Sequence, residues 1–60
     1  MRVGDLVRFT AGTESAKLRH RGIIVSFDED DDPVVLWLGS RWEGYREANF
    51  RNHIEVLSWA

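Results

Sequence analysis

Asp28, Asp30 and Asp32 are the residues whose type and spacing come nearest to a known chemistry. Carboxylates at alternate positions are how a calcium loop supplies its first oxygen ligands. The rest of such a loop is missing. Pro33 follows at once, no glycine stands where the sharp turn is needed, and no glutamate closes a twelve-residue loop. The segment reads instead as the solvated tip of a hairpin, able also to meet a basic patch on a neighbour. His20 and His53 are the only histidines, and the chain has no cysteine. Two isolated imidazoles make a poor zinc site, which takes four ligands. No nucleophile motif accompanies either one. Gly39-Ser40-Arg41 is a turn and lacks the pattern of a phosphate-cradling loop. We therefore expect no catalytic residue, no metal site and no cofactor.

The aromatic residues carry more promise. Trp37 sits within an apolar run and belongs to the core. Trp42 lies in a polar turn beside Arg41, with Tyr45 and Arg46 close behind. Trp59 follows the last apolar stretch, where burial within the same chain is hard to arrange. Exposed tryptophan and arginine are enriched at binding hot spots. The expected partner-binding set is therefore Trp42, Trp59, Arg41, Arg46 and Tyr45. The alternative is a nucleic-acid surface on Lys17, Arg19, His20 and Arg21, with Trp42 or Tyr45 as stacking platforms.

Charge weighs against that alternative. Residues 1–25 carry a net charge of +3, residues 26–33 carry −5, and the remainder balances, for −2 in all. Strong binding to phosphate needs several cations on one face, and only 17–21 could supply them.

The elements that must position these side chains are short. Sixty residues make one domain, 1–60, near the lower limit for independent folding. Leu6-Val7-Arg8-Phe9 alternates as a strand, with Val7 and Phe9 inward. Gly22-Ile23-Ile24-Val25-Ser26-Phe27 is rich in β-branched residues and reads as a strand with Ile23, Val25 and Phe27 toward the core. Residues 34–38 form a second apolar strand, and the acidic segment makes the two a hairpin. A shorter strand over 42–46, one helical turn over 47–50 and a last strand over 53–57 complete the chain. The expected core is Val7, Ile23, Val25, Val35, Trp37, Ile54 and Val56. No apolar run approaches the roughly 20 residues that span a bilayer, and Met1-Arg2-Val3-Gly4-Asp5 has no signal-peptide character.

Val3-Gly4-Asp5-Leu6-Val7-Arg8, Gly22-Ile23-Ile24-Val25, Val35-Leu36-Trp37 and Ile54-Glu55-Val56-Leu57 together resemble the small SH3-like barrel proteins encoded by tailed bacteriophages, those infecting cyanobacteria in particular. The resemblance runs nearly the length of the chain. It implies an all-β, five-stranded SH3-like barrel with one 3₁₀ turn before the last strand. The Ala-Leu-Tyr-Asp-Tyr opening of signalling SH3 domains is missing, as is the concentrated basic loop of the translation-factor version, so neither ligand carries over. The function expected from this reading is a non-catalytic protein-interaction module, a small phage component. It would be a virion accessory or cement subunit, or an effector docking on a host complex. The partner would be a phage structural protein or a host complex, the location the bacterial cytoplasm or the virion. Assembly into an oligomer is compatible with it, and a membrane role is not expected.

Overall fold

The computed structural model describes residues 1–12, 21–39 and 43–60. Five antiparallel strands form one sheet: β1 Leu6–Phe9, β2 Arg21–Phe27, β3 Pro33–Leu38, β4 Arg46–Ala48 and β5 Ile54–Ser58. A 3₁₀ turn, Arg51–His53, leads into β5. Among the described residues there is no α-helix. The strand order is β4-β3-β2-β1-β5. No ladder joins β4 to β5 among the described residues, so the sheet is open and these two strands are its edges.

Pairing between β2 and β3 explains which side chains turn inward. Arg21 opposite Leu38 through Ile24 opposite Val35 follow one register, whereas Ser26 opposite Val34 and Phe27 opposite Pro33 follow another. Val25 is the extra residue of a β-bulge, and a bulge reverses which face the following side chains occupy. Gly22 and Ile24 therefore face the core before it, and Phe27 packs on the core after it. The expectation that Ile23, Val25 and Phe27 share one buried face is thus corrected. Strict alternation was counted across an irregular position, and Ile23 and Val25 are only half-buried. A second bulge gives Leu57 no partner, since Val56 opposes Val7 but Ser58 opposes Leu6.

The core consists of Val7, Ile24, Val35, Trp37 and Ile54, with Met1, Phe9, Phe27 and Val56 packed around it. Full burial of an aliphatic side chain of this size contributes about 1.5–3 kcal/mol, so five buried residues matter greatly in so small a chain. Trp37 is completely enclosed, and its indole N–H has no hydrogen-bond partner among the described residues. Room for the ring comes from Gly22. A Cβ there would stand 2.2 Å from Val35 Cγ1 and 2.9 Å from Trp37 Cε3.

Two further expectations shift along the chain. The fourth strand, expected over 42–46, lies at 46–48 and leaves out 43–45, with Trp42 outside the described residues; the helical turn lies at 51–53, not 47–50. The physical cause is Asn49, which is buried. Its backbone N–H donates to the Pro33 carbonyl at 3.0 Å and its Nδ2 to the Glu47 carbonyl at 2.7 Å. These bonds continue the β3 pairing past Ala48 and delay the turn. Phe50 then remains extended, with φ −64° and ψ 141°.

Among the described residues, one carboxylate is fully buried. Asp5 accepts the Arg2 backbone N–H at 2.9 Å and the Ala60 backbone N–H at 2.7 Å. The Arg2 guanidinium donates to the Ala60 carbonyl. The backbone around Asp5 is tied to β2, with Gly4 N–H donating to Ile24 O and Ile24 N–H donating to Asp5 O.

Candidate functional site

β1, the β2–β3 hairpin, β4 and the 3₁₀ turn meet around a groove of ≈ 240 Å³. Its apolar wall is built from rings. Phe50 and His53 sit edge to face, 5.3 Å apart at 87°. His53 meets Phe9 at 6.2 Å and 66°, and Phe9 meets Trp37 at 6.2 Å and 75°. Such edge-to-face stacks are favourable and hold each ring against the next. The row thus runs from the buried core out to Phe50, which is 62% exposed. Phe50 gains this place from the extended backbone before the 3₁₀ turn. The turn itself is closed by His53 N–H donating to Phe50 O at 2.9 Å, which brings the imidazole back beside the phenyl ring.

The rest of the lining is Asp32, Glu47, Ala48 and Asn49, and so is mostly polar. Asp32 belongs to the hairpin tip, whose local fastening is Asp28. Asp28 Oδ1 accepts the N–H of Asp30 at 3.0 Å and of Asp32 at 2.9 Å. The backbone adds Asp28 N–H to Asp32 O and Asp31 N–H to Asp28 O, both 3.0 Å. Asp31 adopts φ 65°, a left-handed conformation that aspartate tolerates better than most residues. Arg51 reaches back from the 3₁₀ turn to this tip, with 3.1 Å to the Asp31 carboxylate and 3.0 Å to its carbonyl. Its guanidinium also lies 5.3 Å from the centre of the Phe27 ring.

The carboxylates of Asp28, Asp30 and Asp32 offer oxygens within 4.8 Å of one another. Calcium takes six to eight oxygens. Asp28 Oδ1 is already engaged by two N–H donors, so the observed role of this residue is to close the turn.

The titration of Asp5 departs clearly from its ordinary value. The hydrogen bond from the Ala60 N–H holds its pKa below the usual carboxylate value. Burial pulls the other way. The Arg2 N–H and the positive charges of the N-terminal amine and Arg2 reinforce the lowering.

Of the residues singled out in the sequence, Trp59 is 68% exposed and Tyr45 61%, and Arg46 is exposed as well. Tyr45 and Arg46 adjoin β4 and Trp59 follows β5, so the strand order sends them to opposite edges of the sheet. Arg41 and Trp42 lie outside the described residues, as do Lys17, Arg19 and His20 of the basic segment. Arg21 is the exposed first residue of β2. The groove instead recruits Phe9, Asp32 and His53, which the sequence placed in a strand, a loop and a strand start. The only sequence signal near them was the aromatic side chain of Phe50, at the end of the helical turn expected over 47–50. No helix among the described residues is long and apolar enough to cross a membrane.

No protein-family model, curated protein or solved structure matches the chain.

Proposed function

We propose that this chain is a non-catalytic protein-interaction module on an SH3-like barrel, serving as a small component of a tailed bacteriophage. It would act in the virion or in the cytoplasm of a bacterial host, on a phage structural protein or a host complex. The strand order, the 3₁₀ turn before β5 and the two curvature-inducing bulges support the barrel reading. The phage origin rests on the sequence resemblance alone. The observation that carries the binding role is the groove. A row of rings packed edge to face ends in a phenyl side chain that remains 62% exposed beside a polar rim, the composition of a recognition surface.

Trp59, with Leu57 and Val3 also exposed, is the competing surface. Selection of a displayed peptide library on the wild-type protein separates the two. Peptides that converge on a consensus should lose about tenfold in affinity with Phe50→Ala, the size of a modest hot spot. They should bind Trp59→Ala almost as well as wild type. The reverse pattern moves the site to the C-terminal end, and the absence of any consensus defeats the module reading.

A further inference from the structure

We infer that the groove recognises the guanidinium of an arginine carried on an extended segment of a partner protein, an inference that rests on the interaction-module reading. Charge is the first argument. The hairpin tip carries Asp28, Glu29, Asp30, Asp31 and Asp32, and Asp32 lies on the groove itself. Among the described residues, Arg51 is the one cation seen bonded to this tip, and it is engaged with Asp31. A cleft lined by one sign of charge concentrates ions of the other sign.

The second argument is that the molecule already makes this kind of contact with itself. Arg51 is held with its guanidinium 5.3 Å from the Phe27 ring centre and 3.1 Å from the Asp31 carboxylate. The groove offers partners of the same two kinds, the exposed Phe50 ring and the Asp32 carboxylate. A planar guanidinium stacks on a ring while its N–H groups reach a carboxylate, which an ammonium does less well. Size agrees. At ≈ 240 Å³ the groove falls below the range of drug-sized pockets and suits one long side chain with its flanking backbone.

The test is a titration of ¹⁵N-labelled protein, followed by amide chemical shifts, with an acetylated and amidated (Gly-Arg)₄ peptide and its neutral twin carrying citrulline for arginine. Saturable shifts should centre on Phe9, Asp32, Ala48 and Phe50. Affinity should fall about tenfold for the citrulline peptide and for Phe50→Ala, and about fivefold for Asp32→Asn. Glu29→Gln, at the same net charge as Asp32→Asn, should change it less than about twofold. Spectral dispersion reports whether each variant is folded. Equal binding of both peptides would sink the arginine inference and leave the module reading intact. Shifts confined to the hairpin tip and indifferent to Phe50→Ala would also overturn it, since diffuse charge attraction would then account for the binding. If neither peptide shifts the groove amides, the inference fails, and the library selection alone decides the fate of the module.

Discussion

Asp5 and Asp28 do the same chemistry in two regions of the molecule, and the contrast between them is instructive. Each carboxylate accepts two backbone N–H groups. Those of Asp28 come from two and four residues away, at the tip of a hairpin that water can reach. Those of Asp5 come from three residues away and from Ala60, 55 positions along the chain. Asp28 fastens a turn that its own neighbours largely define. Asp5 joins the start of β1 to the end of β5, so its bonds exist only when the whole sheet has formed. Local closure shapes a loop; long-range closure reports on, and reinforces, the fold.

Both fastenings hang on β2, which is bonded to the Asp5 backbone through Ile24 and runs into Asp28 at its other end. The largest effect should therefore come from Gly22→Ala, which forces a methyl group into Val35 and Trp37. Overpacking of this kind costs about 3 kcal/mol, enough to unfold much of a domain this small. Urea denaturation followed by tryptophan fluorescence measures it. An unchanged midpoint would show that β2 and β3 are not packed as closely as described.

Next comes Asp5→Asn, which keeps one acceptor oxygen but sets an amide N–H₂ against a backbone N–H. Its melting temperature at pH 7 should fall further than that of Asp28→Asn. Because the folded-state pKa of Asp5 is lowered, its ionised form contributes stability above the ordinary carboxylate pKa near 4. That contribution is lost as pH falls through the lowered value. The gap between wild type and Asp5→Asn should accordingly narrow from pH 7 to pH 3. A gap that stays constant or widens would mean that shape, not charge, makes this clamp.

Asp28→Ala should cost about 1 kcal/mol, since water can replace part of what the two exposed-tip N–H groups lose. Thermal melts followed by circular dichroism suffice. A loss equal to that of Asp5→Asn would erase the distinction between local and long-range closure. The smallest effect belongs to Arg8→Ala. Arg8 pairs with Glu55 at 3.0 Å across β1 and β5, but both side chains are about half exposed, 52% and 54%. Such pairs contribute about 0–1 kcal/mol and weaken with salt. A larger loss would indicate that β5 depends on this pair more than on Asp5.

Much of the fold was legible because its signals are local. Val35, Trp37 and Ile54 proclaim their faces by alternation in stretches that no bulge interrupts, and the structure buries all three. The acidic hairpin follows from turn-forming residues between apolar runs, and a 3₁₀ turn before β5 was expected, although it begins four residues later than the sequence suggested. Ile24 was missed for a definite reason. A bulge is a property of two paired strands, so the reversal at Val25 cannot be seen in β2 alone. The groove was largely illegible, because Phe9, Asp32, Phe50 and His53 come from separate elements and acquire meaning only side by side.

The sequence by itself determined the all-β character, the order of strong and weak strands, the acidic tip and the surplus of aromatic side chains. Each of these depends on residues within a few positions of one another, where steric preference and alternation act directly. Tertiary structure alone decided that Asp5 holds Ala60, that Gly22 makes room for Trp37, that Tyr45 and Trp59 part to opposite edges, and that Phe50 finishes a row of rings beside an acidic rim. These contacts link residues distant in the chain. Strand register and the two bulges fix them, and register is set by how whole faces pack together.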